Sequence, residues 1–421
     1  MVALAVFALV GGAIKSGGSV PDPGYGNVDI TPYYNGDQVG AATTAPFPGT
    51  NPLVSVGTLK TPRVNHTATL LSNGRVVIAG GETGSTTVVT AISSVEIYDP
   101  TSRSFDDGGT MIMPRSNQTA TLLANGKILF AGGQDELGNA LSSAEIYDPA
   151  TSTSVLTGPM TTPRMSASAV ALDDGRVLIA GGSNGSDPLG SVDIFDPSSG
   201  TFSSMGSVSK VSGSLTATRM LDGRILLAGG DASSGSSYIA DVFDPLAGGL
   251  VSSAPMAINH GDATSCLLSD GTVMVVGGFN DSKQVNSTAE IYNPTNDAFE
   301  SPIQLLDGRA FNSTTVLRDG SVLLAGGVDS YGNAIATVER FSPGKGVSEP
   351  VGTMVPPRYG HTATLLEDGS VLIVGGRQTS DWVLSEADLY YPDGPSATGS
   401  STSPDSSYSP VPVPMETAPA G

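Results

Sequence analysis

The sequence holds one cysteine, Cys266, which excludes a disulfide framework and a cysteine-based zinc site, since each takes at least two thiols. Basic residues are scarce: 19 Lys and Arg face 40 Asp and Glu, a net charge of −21. A nucleic-acid backbone or an anionic membrane surface would be repelled, so neither is expected as a partner. The apolar run at residues 1–14, MVALAVFALVGGAI, falls short of the roughly 20 residues that cross a bilayer. Residues 1–19 read instead as a secretion signal or a short hydrophobic anchor, although the usual basic start is missing. Export is therefore expected, to the medium, the periplasm or the cell surface. Sequons at Asn65, Asn117, Asn184, Asn286 and Asn312 add little, because Ser/Thr-rich sequence generates them by chance.

What the chain does have is glycine (54) and proline (29), with only 14% charged residues, a composition for many short strands rather than helices. An apolar strand ending in a glycine pair recurs seven times, from RVVIAGG (75–81) to SVLIVGG (370–376). The first glycines, at 80, 132, 181, 229, 277, 326 and 375, lie 52, 49, 48, 48, 49 and 49 residues apart. A fixed period near 50 marks a propeller blade, a unit that cannot bury both its faces alone. Each unit reads as four strands. Strand A, such as HTATLL (66–71), turns at an Asn-Gly or Asp-Gly into strand B, read as a two-residue hairpin. Strand C, such as VEIYDP (95–100), stops at proline, and a short strand D follows.

The seventh repeat lacks a clear strand D, whereas LVSV (53–56) stands before the first repeat where a strand D belongs. The N-terminal strand is thus expected to pair with the last strand C and close the ring, removing exposed edges. The fold class is all-β, a seven-bladed propeller over residues 53–392. Residues 20–52 read as a Pro/Gly-rich linker and 393–421 as a low-complexity Ser/Pro-rich tail.

The recurring Pro-Arg, His-Thr-Ala-Thr-Leu-Leu, Asp-Gly, glycine pair and Tyr-Asp-Pro resemble kelch repeats, in particular those in the propeller of galactose oxidase-like proteins. That resemblance implies a copper–radical centre, whose cross-linked Cys and Tyr would stand nine residues before the turn glycine in two successive blades. Those positions here hold neither Cys nor Tyr, so no cofactor is expected. The tryptophan that many kelch repeats carry in strand D is replaced by Phe or an aliphatic residue, and Trp382 lies elsewhere.

Strand order puts the A–B and C–D turns on one face, and the B–C and D–A loops on the other, called face one here. The B–C loops vary in length, and variable loops on a rigid scaffold usually carry binding residues. Counted back from the turn glycine, position minus eleven holds Arg63, Arg115, Arg164, Ser212, His260, Arg309 and Arg358. These arginines are read either as an anion site or, preferably, as groups bonding the next blade. His260, which breaks the series, is the better ligand candidate. Position minus nine holds Asn65, Asn117, Ser166, Ser214, Asp262, Phe311 and Gly360, a ring that differs from blade to blade and suits a neutral sugar. The alternative is a water-filled channel lined by whatever fits.

His66 and His361 share position minus eight in blades that closure makes neighbours, a weak candidate for a metal pair. Face-one acids Asp135, Glu136, Asp231, Asp281, Asp329 and Asp381 show no spacing that separates them from solvated loop residues. The expected function is a non-catalytic extracellular or surface module that recognises a glycan or protein on face one. A carbohydrate-active hydrolase, epimerase or lyase, and a structural module of a surface assembly, are the alternatives.

Overall fold

A computed structural model of the chain describes residues 51–394, apart from 86–87, 210–212, 231–237 and 380–381. The expectations for residues 1–50 and 395–421, and for Ser212, Asp231 and Asp381, lie outside the described residues.

In blade 1, strand A (Thr67–Leu70), strand B (Val76–Ala79), strand C (Ser94–Asp99) and strand D (Ser104–Thr110) form one antiparallel sheet in that order. The A–B connection is one residue longer than the two-residue hairpin expected. Leu71 N donates to Arg75 O, and Gly74 N donates back to Leu71 O. Only Gly74 of the turn takes a positive φ, 79°. A three-residue loop of this kind needs glycine at its last position alone.

Six further sheets repeat the plan. Every strand B is buried at each position, because a blade is covered on both sides by its neighbours. Adjacent blades share cores: Leu178 and Ile194 of blade 3 pack with Ile225 and Phe243 of blade 4. The seven A strands neighbour one another in a closed cycle and form the inner wall. The cycle closes as the sequence requires. Leu53–Thr58 is the outer strand of blade 7 and pairs antiparallel with Glu386–Tyr390, Leu53 opposite Tyr390 and Thr58 opposite Glu386. Ile78 and Tyr98 of blade 1 pack with Leu372 and Leu389 of blade 7 across that seam.

Candidate functional site: the mouth of face one

The minus-eleven arginines belong to the blades. All five are 0–1% exposed. Arg115 donates from Nη1 to Gly132 O (2.7 Å) and Ser143 O (3.1 Å), and from Nη2 to Glu145 Oε1 (2.7 Å). Arg63 pairs likewise with Glu96, Arg164 with Asp193, Arg309 with Glu339 and Arg358 with Asp388. Each pairing is within the arginine's own blade, not the next one as the sequence reading had it. The chain has crossed into the new blade before it reaches the arginine. The carboxylate also accepts from the incoming D–A segment, as Glu145 does from Ile112 N at 2.7 Å, so the ion pair ties that segment onto strands B and C. Burial lowers the pKa of Arg115, and the Glu145 charge opposes the shift.

His260 is corrected in the same way. It is fully buried, with Nδ1 2.7 Å from Gly277 O and Nε2 3.2 Å from Glu290 Oε1, the contacts an arginine makes in other blades. In blade 4 the carboxylate, Asp241, accepts from Ser209 N and Oγ and from Ser253 Oγ. The partner series (Glu96, Glu145, Asp193, Asp241, Glu290, Glu339, Asp388) was legible as one acid at the same place in every strand C, and it was missed.

The glycine pair is the joint between blades. At six of the seven first glycines a Cβ would lie 2.2–2.5 Å from the minus-eleven carbonyl of the next blade, as at Gly277 (Arg309 O, 2.2 Å) and Gly80 (Arg115 O, 2.5 Å). In five blades the second glycine donates to that same carbonyl, as Gly278 N does to Arg309 O at 2.8 Å and Gly376 N to Arg63 O at 2.9 Å across the closure seam.

Just inside this joint stands the minus-nine ring, and all seven of its residues have positive φ, from 39° at Ser214 to 62° at Gly360. Main-chain bonds run from one to the next: Asn117 N to Asn65 O (3.0 Å), Ser166 N to Asn117 O (2.9 Å), Asn65 N to Gly360 O (3.1 Å) and Gly360 N to Phe311 O (3.3 Å). The ring therefore circles the mouth. Its backbone accounts for part of its composition, because Asn, Asp and Gly tolerate the left-handed region. Phe311 is not explained so. A bulky side chain there costs of order 1–2 kcal/mol, and it sits edge-on to Phe279 with ring centroids 5.5 Å apart.

The mouth has two unlike sectors. Over blades 5, 6 and 7, Phe279, Val285, Ala310, Val328, Ala334 and Tyr359 form a cluster against which Phe311 packs. Over blades 7, 1 and 2 the residue just after each glycine pair is polar: Arg377, Glu82 and Gln134. Glu82, only 8% exposed, accepts from Asn65 Nδ2 (3.2 Å), Ser116 Oγ (3.4 Å) and Gln134 Nε2 (3.5 Å), with Arg377 Nη2 at 3.8 Å. Burial raises its pKa, against the opposing pull of Arg377 and the three donors. Gly360 joins the sectors. It has no room for a side chain, since a Cβ would lie 2.7 Å from Val64 Cγ2 and 3.0 Å from Asn65 Oδ1, so no side chain separates Asn65 from Phe311. Sequence reasoning missed Glu82, Gln134 and Arg377, although a varying residue at a fixed offset from the glycine pair was a readable signal.

The remaining candidates are structural. His66 Nε2 bonds Thr362 Oγ1 (3.0 Å) and His361 Nε2 bonds Ser313 Oγ (2.9 Å), each a link to the preceding blade's strand A. Burial, then the nearby arginines, hold both imidazoles neutral, His361 down to about 3. Among the described residues no three metal-ligating side chains converge. Cys266 packs into the apolar cluster of Leu268, Met274 and Val322, and burial pushes its thiol up to about 12. With that thiol in the wall and Asn, Ser, Asp, Phe and Gly on the ring, the residues do not fit a copper–radical centre.

Asp135 and Asp329 each accept two backbone N–H groups of their own loops (2.8–2.9 Å), Asp281 takes Asn259 Nδ2 (3.2 Å), and Glu136 is exposed. A cleft of about 530 Å³ on the opposite face, between blades 2 and 3, is walled by turn residues. Its Asp174 and Arg176 pair with each other at 2.7 Å, so the cleft offers no converging groups.

The kelch motif family model matches residues 115–161, 164–209 and 263–301, which are blades 2, 3 and 5. Among solved structures, a fungal alcohol oxidase of the AA5 family, in complex with copper, superposes with a TM-score of 0.65 at 17% identity. The match covers 81% of this chain and 77% of that one, and at that identity it speaks for the fold alone. No curated protein matches the sequence. Three blades answer to the motif directly and the other four repeat its glycine joint, which makes this chain a kelch-repeat seven-bladed β-propeller.

Proposed function

We propose that the protein is an exported, non-catalytic recognition module that binds a glycan at the mouth of face one. The observation that carries this reading is the divided mouth. A neutral sugar presents hydroxyls at its edge and C–H groups on its ring face, and the mouth sets amide and carboxylate groups beside a phenylalanine retained in a strained backbone. Exposed aromatics at the tips of neighbouring B–C loops, Tyr331 (70%) and Trp382 (62%), extend the apolar side outward. The net charge of −21 argues against nucleic acid and anionic membrane as partners.

A glycan array followed by titration calorimetry tests this. Binding should fall at least tenfold in Phe311→Asn, a residue that the left-handed backbone tolerates. Undiminished binding would move the site away from the mouth. A second reading, a carbohydrate-active enzyme, draws on Glu82, a buried carboxylate of raised pKa such as acid–base catalysis uses. Product analysis on the sugars that bind separates the two: turnover lost in Glu82→Gln favours the enzyme.

A further inference from the structure

Glu82 is held differently from the buried carboxylates of the C strands. Each strand C acid has at least one partner at 2.8 Å or closer, Glu96 at 2.8 Å and Glu145 at 2.7 Å among them. The contacts around Glu82 lie at 3.2, 3.4, 3.5 and 3.8 Å, a loose set for a group taken out of water. Gln134, 4% exposed, sends its Nε2 toward Glu82, while the amide's other atom, Oε1, is buried without a hydrogen-bond partner. A buried amide oxygen without a donor is costly to leave unmatched, so the cluster is short of a donor. Arg377 supplies donors on the other side, and its backbone is bonded both ways to Tyr359 (2.9 and 3.0 Å), which belongs to the apolar sector. An acceptor, a donor and an apolar wall thus stand in sequence around one corner of the mouth.

We propose that this corner binds the acetamido group of an N-acetylated amino sugar, a deepening that rests on the glycan reading above. The amide N–H donates to Glu82 or Gln134 Oε1, the amide C=O accepts from Arg377, and the methyl lies against the apolar sector. The group is neutral and carries both a donor and an acceptor, as befits a corner that sets a carboxylate beside a guanidinium. A free amino sugar would bring a positive charge in place of the carbonyl and methyl, leaving Arg377 opposed and the wall unfilled.

The test is calorimetry at about 0.15 M salt, where long-range attraction to an acidic protein is screened. The probes are N,N′-diacetylchitobiose, its deacetylated dimer and cellobiose. The acetylated dimer should bind at least tenfold more tightly than either of the others. Glu82→Leu and, separately, Arg377→Met should each weaken the acetylated dimer at least tenfold more than cellobiose, so that the preference is erased; two variants guard against one failing to fold, which circular dichroism checks. Equal binding of the three dimers, or a preference that survives in both folded variants, overturns the acetamido assignment and leaves the glycan reading intact. Failure of every sugar to bind would sink the glycan reading itself. An N-acetylated dipeptide amide binding as tightly as the sugar would overturn the assignment to a saccharide.

Discussion

At the scale of single residues, the fold is set by glycines that do two different jobs. Gly126, in an A–B turn, has φ 79° and nothing within 4 Å of its would-be Cβ. Gly277, in a blade joint, has φ 66° and a backbone carbonyl 2.2 Å from the same point. Alanine at either must adopt the left-handed region, at about 1–2 kcal/mol. At Gly277 it must also displace Arg309 and the joint it anchors. Gly277→Ala is therefore expected to destabilise the protein well beyond Gly126→Ala, measured by urea unfolding. Equal effects would mean that the joint is not held as tightly as its geometry implies. The buried arginines answer to the same logic. Each joins three segments of its blade, and cutting such a pair at one end typically costs about 3–5 kcal/mol.

Among the elements, the outer strand of blade 7 decides whether there is a ring at all. Without Leu53–Thr58, strand Glu386–Tyr390 would present a bare edge, and edges of that kind invite pairing between molecules. A chain lacking residues 1–58 is expected to self-associate and to lose amide-exchange protection over Glu386–Tyr390. A monomer with normal protection there would count against closure by this strand. This much was readable beforehand, because apolar runs, turn glycines and a missing last strand are local signals with a period. The partners of the arginines were harder to read, since one blade's worth of chain separates a residue from the sheet it enters, and counting alone assigned them to the wrong blade. The mouth was half legible. The minus-nine positions were found by register, but their shared left-handed backbone, which explains the asparagines and singles out Phe311, has no signature in a single repeat. Glu82 and Arg377 meet only because the first and last blades touch.

For the molecule as a whole, buried histidines make stability depend on pH. His361 takes up its proton in the unfolded chain near its ordinary value of 6.5, but in the fold only at about 3. Its contribution is present above 6.5 and is lost as the pH falls toward 3, by up to about 1.4 kcal/mol per pH unit. His66 acts with the same sign. Glu82 and Asp388, whose pKa values burial raises, act with the opposite sign, and their ionised forms cost stability as the pH rises through the raised values. The difference between wild type and His361→Gln isolates one group, since Gln118 fills the same place in blade 2 and bonds Ala79 O at 2.9 Å. The variant should close the gap on the wild type as the pH drops from 6.5 to 4 in urea titrations; a constant gap would refute the assignment.

The two ends of the described chain leave the ring side by side, with Tyr391 N bonded to Pro52 O at 3.0 Å and Leu53 facing Tyr390. Tension applied through the flanking segments would therefore load the last ladder one rung at a time, as a zip is opened, rather than shearing all its bonds together. Under a pull between its own ends, the closed wheel would give way first at that single seam.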